Sequence, residues 1–443
     1  MSVPAHWVRC TLEAVKAPTE HAIAGGPFGS DLTQADYIDD PAGVPVIRGC
    51  NLGHGERRFY PDDLVFVSHA KAEALRRSLA VPGDVIFTQR GTVSQVGLIP
   101  DDLPWRRYLL SQSQMKLTCD RSIADPEFIY YWCRSPAVQQ HVASCTITTG
   151  VPHTNLGTLR RTPLLLPPLP EQRAIAATLG ALDRRISLCD DQRDSLVDLV
   201  DLYFRTWFID HKPVHARAAG GSHDSVPPEL GACFPDGFDE RDGRLVPRGY
   251  ALAPLTDLAE FQNGSAFGLS DYCKEGEGLP IIKIAELKHG ITRQTRYCLI
   301  RENGRRIARG DLLLSWSGTP DTSIDTFLWF GGPAWLNQHI FKVVPPRPED
   351  RAFLFGLLRA CKPQLVAFAS TKQTTGLGHF TLKDLRTLVV PVPPPSLRDA
   401  FHALTAPIFA KIAACDDLRA SLIETRDDLL VRLMSGELRV KLP

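Results

Sequence analysis

Three residues in the second half of the chain have the types and spacing of a metal-dependent nuclease: Asp271, then Glu286 and Lys288. Two carboxylates and a lysine in that order can position Mg²⁺ and a water against a phosphodiester. Other signatures of chemistry are missing. There is no Gly-x-x-x-x-Gly-Lys-Ser/Thr loop for nucleotide phosphates and no Asn-Pro-Pro-aromatic or Asp-Pro-Pro-Tyr segment of the amino-methyltransferase kind. None of the 13 histidines stands in His-Glu-x-x-His spacing. The 11 cysteines are scattered and odd in number, without a Cys-x-x-Cys pair, so neither a zinc site nor a disulfide framework is expected. They read as small buried apolar residues. No cofactor or metal is expected.

The elements around the nuclease-like set argue against it, because the chain repeats itself. CDDQRDSL at 189–196 matches CDDLRASL at 415–422 at an offset of 226, with six of eight positions identical. Gly150, His153, Leu156, Leu159 and Arg160 fall on Gly376, His379, Leu382, Leu385 and Arg386 at the same offset. PGDVIF at 82–87 pairs with RGDLLL at 309–314 (offset 227), and VPVIR at 44–48 with LPIIK at 279–283 (offset 235). In the first copy the stretch opposite Glu286 is Gly49-Cys50-Asn51-Leu52, which has no acid. A catalytic pair present in only one copy is not expected to be catalytic.

Each copy has two parts. The first carries short β-like runs punctuated by Gly and Pro: Pro45–Ile47, Val85–Thr88 and Leu164–Leu166, then Ile281–Ile284, Leu312–Ser315 and Leu388–Val390. That composition predicts a mixed α/β (α+β) domain. The second part is a long helix behind a proline break. After PPLPEQ, the residues Ile175, Leu179, Leu182, Ile186, Cys189, Arg193, Leu196, Val200, Tyr203 and Trp207 step by four and three, with Arg193 the one polar interruption. After PVPPPS, the stripe is Phe401, Leu404, Ile408, Cys415, Leu418, Leu422, Leu429 and Leu433, with Lys411 and Thr425 as weak points, and Gly436 follows as a C-terminal cap. Helices of that length with heptad stripes predict an antiparallel coiled-coil pair rather than two isolated surface helices. The expected organisation is a first globular domain at 1–167, a long helix at 168–208, a linker at 209–246, a second globular domain at 247–392 and a C-terminal long helix at 393–443.

Charge supplies little direction. Lys and Arg number 50, Asp and Glu 50, whereas nucleic-acid binders usually carry a basic excess. Only residues 247–392 lean basic, with 18 basic and 13 acidic side chains, 18 − 13 = +5. Local clusters are Arg76-Arg77, Arg106-Arg107, Arg160-Arg161 and Arg301, Arg305, Arg306 and Arg309. No apolar run reaches the roughly 20 residues of a membrane span, and MSVPAHWVRC lacks the pattern of a signal peptide. A cytoplasmic protein is expected.

The sequence resembles the specificity subunits of type I restriction-modification systems over essentially its whole length. PLPEQRAIAATLGALDRRI at 168–186, LYFRTWF at 202–208, the linker FPDGFDE…GRLVPRGYALAPL and the openings GGPFGSD at 25–31 and FQNGSAF at 261–267 carry the resemblance. One departure is PPPSLRDAF at the second helix, where the Glu-Gln pair of the first is lost. The resemblance implies a non-catalytic subunit with two target-recognition domains, each reading half of a split site on double-stranded DNA. It implies a helical spacer that docks two methyltransferase subunits, and restriction subunits that supply translocation and cleavage. S-adenosylmethionine would be held by the methyltransferase. The rival reading is a coiled-coil scaffold without DNA specificity.

Base readout calls for Arg or Lys against guanine, Asn or Gln against adenine, and small hydroxyls elsewhere. Beside the β-like runs, the candidates in the first copy are Gln89, Arg90, Gln112, Gln114, Thr148, Thr149, His153 and Asn155. In the second they are Ser315, Ser317, Gln338, Lys372, Gln373, Thr374, Thr375 and His379. A carboxylate partner for Arg90 would remove it from that set. The tryptophans 105, 132, 316, 329 and 335 are expected in the core.

Overall fold

The sequence repeat is a repeat of topology. The computed structural model describes residues 4–53, 57–62, 64–241, 243–292, 294–299, 304–373 and 376–441. Two compact units emerge, one of Met1–Leu188 with Arg419–Pro443, the other of Cys189–Leu418.

In the first unit a four-stranded antiparallel sheet runs in the order Ile23–Gly25, Gln114–Leu117, Val85–Thr88, Val96–Leu98. A five-stranded sheet follows the order Tyr37–Ile38, Val65–Val67, Val44–Ile47, Tyr108–Leu110, Leu79–Ala80, with one parallel pair, Val44–Ile47 beside Tyr108–Leu110. Val8–Thr11 and Pro163–Leu166 form a ribbon. The second unit repeats this order. Its four strands are Glu260–Asn263, Ile340–Val344, Asp311–Ser315 and Thr326–Trp329. Its five are Tyr272–Cys273, Tyr297–Cys298, Leu279–Ile282, Ala334–Leu336 and Arg306–Ile307, again with the third and fourth parallel. The ribbon is Ala251–Pro254 with Val389–Val392.

Val85–Thr88 is buried along its whole length, which is why Val85, Ile86 and Phe87 are apolar without alternation. Helix Pro126–Arg134 covers it in the first unit, with Asp125 accepting from the Phe128 amide at 3.0 Å and Pro126 in the first turn. Phe128, Ile129, Tyr130, Tyr131, Trp132 and Cys133 are all buried. Asp350–Ala360 does the same in the second unit with Phe353, Leu354 and Leu357. One run is shorter than expected: Ile284 leaves the strand and begins helix Ile284–His289, because Glu286 folds back onto the Lys283 amide.

The long helices are Leu169–Phe204, continued by a π turn at Arg205–Ile209, and Pro395–Met434. Within each unit the two chains run antiparallel. In the first unit Glu171 meets Arg439 at 3.1 Å and Asp183 meets Arg426 at 3.2 Å. In the second, Arg193 lies 3.8 Å from Asp416, and the Phe204 and Phe401 rings are 5.9 Å apart. Half of the expected second stripe is displaced by one residue. Phe401, Cys415, Leu422 and Leu433 are buried, but Thr405, Ile412 and Arg426 take the places expected for Leu404, Lys411 and Thr425, and Leu418 is exposed. The displaced positions are those that lie 226 residues after Leu179, Ile186 and Val200, so the two helices do share one heptad register.

The altered start of the second helix has a packing explanation. Gln172 ties the first helix to the Asp125 amide at 2.8 Å and to two carbonyls. At its counterpart Arg398, an ion pair to Asp350 at 2.6 Å makes the same tie. Glu171, which gathers His6, Trp7 and Arg439, becomes Leu397, fully buried in the second core.

The stretch read as a linker has elements of its own: helix Lys212–Ala218 and the hairpin Phe238–Arg241 with Arg244–Pro247. Val214, Phe234 and Val246 join the second core. None of the 11 cysteines is in a disulfide. Cys119 and Cys361 are buried and their thiols pushed up to about 12 and about 11 by desolvation; Cys50 and Cys145 are exposed, contrary to expectation.

Candidate nucleic-acid interface

In the first unit the loops at one end of the four-stranded sheet are held together by backbone hydrogen bonds. Strand Val85–Thr88 ends at Gln89, whose amide donates to the Ser113 carbonyl at 2.7 Å and whose carbonyl accepts from the Thr154 amide at 2.9 Å. Arg90 pairs with His153 as an isolated bridge, and His153 also pairs with Ile147. Gly26 lies against the Ser111 carbonyl so closely that a Cβ would sit 1.8 Å from it. This locks the GGPFGSD loop to the turn that carries Gln112.

The second unit builds the same frame. The Trp316 amide donates to the His339 carbonyl at 3.1 Å, and the Trp316 carbonyl accepts from the Phe380 amide at 3.1 Å. Ser317 pairs with His379, and Gly264 approaches the Asn337 carbonyl as Gly26 approaches Ser111.

Several predicted residues gather on these loops. Gln89, Arg90, Gln112 and His153 do so in the first unit, with exposed Thr148 and Thr149 on the turn beyond Ile147. Among the described residues the Arg90 guanidinium, which is exposed, has no carboxylate partner. Ser317, Gln338 and His379 occupy the equivalent loops in the second unit, and Gln373 is exposed nearby in the chain.

Others do not reach the surface or are already engaged. Gln114 is fully buried, its carboxamide against Ser111 Oγ, the Ile47 carbonyl and the Gly49 amide. Ser315 is fully buried too, with its hydroxyl bonded to the Ser323 and Asp325 carbonyls. Both are withdrawn as base-reading residues, since a base edge cannot reach a side chain with no accessible surface. Asn155 Oδ1 accepts from the Thr158 amide at 2.9 Å and caps helix Leu156–Arg161. Lys372 pairs with Asp384 at 2.5 Å. Thr374 and Thr375 lie outside the described residues, as does Arg301 of the basic cluster. In that cluster Arg309 is held by Asp417 at 2.7 and 2.8 Å, and Arg306 lies over the Trp335 ring at 5.1 Å. Residue types alone did not point to Phe28, 84% exposed on the GGPFGSD loop.

A family model for the type I restriction modification DNA specificity domain matches residues 77–196 and 247–397. The chain belongs to that DNA specificity family. The matched segments include both strand-end positions, Gln89 with Arg90 and Trp316 with Ser317. Among similar proteins, the specificity subunit of the type I restriction enzyme MjaIX of Methanocaldococcus jannaschii is 23% identical over 369 residues, 81% of this chain and 78% of that protein. The HindI specificity subunit of Haemophilus influenzae is 23% identical over 405 residues, 80% of this chain and 86% of that protein. A solved S subunit from M. genitalium is 14% identical, with 98% of this chain and 96% of that chain covered at a TM-score of 0.48.

In this DNA specificity protein the nuclease-like carboxylates serve the backbone. Asp271 accepts from the Gly268 amide at 2.7 Å, and Glu286 from the Lys283 amide at 3.0 Å. Asp36 and Asn51 do the same in the first unit, at the Thr33 amide (2.8 Å) and the Arg48 amide (2.9 Å). Hydrogen bonds from Lys71 and Thr33 hold the Asp36 carboxyl down at about 2. Lys288 bonds to the Thr322 carbonyl, and burial draws its ammonium below the usual range. The same capping geometry recurs at the equivalent positions of both units. Among the described residues no single helix is long and apolar enough to cross a membrane.

Proposed function

We propose that the chain reads a two-part target on double-stranded DNA, one half with each unit, within a type I restriction-modification complex. The observation that carries this reading is the duplicated frame at the sheet ends: one backbone arrangement presents side chains that are shared at some positions and differ at others, Arg90 against Ser317 among them. A reader of two half-sites needs that property, and a scaffold does not. Methyl transfer, translocation and cleavage belong to partner subunits, with S-adenosylmethionine on the methyltransferase.

The paired helices are the docking element. Two helices in one shared register offer two similar outer faces, which suits two copies of one methyltransferase subunit. Native mass spectrometry of the co-expressed proteins tests this. The expected species contains one copy of this chain and two methyltransferases. A one-to-one complex as the sole species would contradict it. A scaffold reading predicts that this chain without its partners shows no salt-dependent affinity for duplex DNA, since no counterions are released.

A further inference from the structure

The two units are a comparison that the molecule makes with itself. The repeat aligns Gln89 with Trp316, Arg90 with Ser317, Ser113 with His339, His153 with His379 and Gln112 with Gln338. The backbone at these positions is bonded alike in both units. The aligned side chains fall into two classes. His153 and His379 are the same residue, as are Gln112 and Gln338, so each pair offers the same chemistry to both half-sites. Any difference in what the two units read has to come from positions where the copies differ.

Arg90 against Ser317 is such a position, and the two environments differ in kind. Arg90 is exposed, lacks a carboxylate partner among the described residues, and projects from backbone fixed by Ser113 and His153. A guanidinium on a fixed backbone offers two parallel N–H donors, and the base edge that accepts both is guanine, through O6 and N7. In the second unit the preceding residue is Trp316, half-buried with its ring 5.6 Å from His339 and 5.7 Å from Phe341. Ser317 beside it carries one short hydroxyl, which cannot make that bidentate contact.

Resting on the proposed role in DNA reading, we infer that Arg90 is a specificity-determining residue: it reads a guanine in one half-site, and Ser317 leaves the corresponding place in the other half-site without that contact.

The test uses the full chain co-expressed with its methyltransferase partner, with methylated adenines mapped across the host genome. Binding is then measured on duplexes carrying the mapped motif or single-base changes in it. Arg90→Ser is expected to make one position of one half-site degenerate, cutting discrimination there by roughly ten- to a hundred-fold. The other half-site and the interval stay as they were. Arg90→Lys keeps the charge but not the fork, so it should weaken discrimination less than Arg90→Ser does while holding its affinity for unrelated DNA. Ser317→Arg should alter the other half-site alone. Thermal midpoints equal to that of the parent chain establish that the variants fold. An unchanged motif in Arg90→Ser overturns the inference. So does a uniform loss of affinity for all sequences with the salt slope reduced by about one, which marks a phosphate contact. A parent complex that yields no two-part motif overturns the functional reading itself, a result distinct from either.

Discussion

His211 shows how much a single residue can hold in this fold. Its backbone sits at φ 47°, the left-handed region that side chains other than Gly and Asn rarely adopt. The turn lets it open helix Lys212–Ala218 while its ring meets Phe238 and Tyr250 at 6.0 and 5.9 Å. Burial lowers the pKa of this imidazole, with the Trp207 carbonyl and Asp210 opposing the shift and His215 adding to it. The folded state therefore takes up the proton later than the unfolded chain does as pH falls. Stability from neutral His211 is fully present above the unfolded value near 6.5 and is lost as pH drops below it. His211→Asn, which tolerates the backbone and does not titrate, should be less stable than the parent by a margin that narrows between pH 7.5 and pH 5. Urea midpoints at the two pH values measure the margin, and a constant gap would show that His211 does not titrate with folding. None of this was legible from the sequence, where His211 stands in an unpatterned stretch. The same blindness to burial put Gln114 and Ser315 among the base-reading candidates. Both are polar and next to a strand end, and a sequence does not reveal which side of the sheet end faces inward.

At the scale of elements, the proline breaks and the stripes of apolar residues located both long helices. Their register was half legible. Thr405 and Arg426 occupy core positions; a pattern search for apolar residues steps past Thr405 to Leu404 and finds only a gap, Thr425, beside Arg426. Arg426 is tolerated inside because Asp183 lies 3.2 Å from its guanidinium and the Tyr131 hydroxyl donates to the same carboxylate at 2.5 Å. The side chains of Asp183 and Arg426 are 5% and 4% exposed. Removing Asp183 leaves Arg426 with the half-exposed Asp427 at 2.9 Å as its carboxylate partner, so Asp183→Ala should destabilise the first unit by about 3 kcal/mol, the low end for a broken buried pair. Replacing both members with leucine should restore most of that loss, because the charges and their desolvation go together. Urea denaturation of the single and double variants decides the point. Strictly additive losses would mean that the pair does not couple the two helices.

At the scale of the molecule, the repeat was the most legible feature, and its imperfections have a structural source. The offset falls from 235 at Ile47 and Ile282 to 227 at Thr88 and Ser315, so the second copy is 235 − 227 = 8 residues shorter between those strands. Helix Ile284–His289 lies in that interval of the second copy, and helix His69–Ala74 in the longer interval of the first. The strand order survives because the loss falls between paired strands rather than within them. The helices tolerate no such drift: one offset of 226 holds from Ile175 with Phe401 to Trp207 with Leu433. A constraint that strict is expected if the helix pair sets the interval of unread DNA between the half-sites. Inserting seven residues after Arg193 and seven after Arg419, its repeat counterpart, preserves the heptad register in both helices. Each helix lengthens by about 10 Å, at about 1.5 Å per residue. Methylation mapping should then return the same two half-sites with the interval between them longer by a few base pairs. The same insertion in one helix only puts the antiparallel partners out of step and should abolish modification. If the double insertion leaves the interval unchanged, or alters the half-sites themselves, the helices are not the ruler.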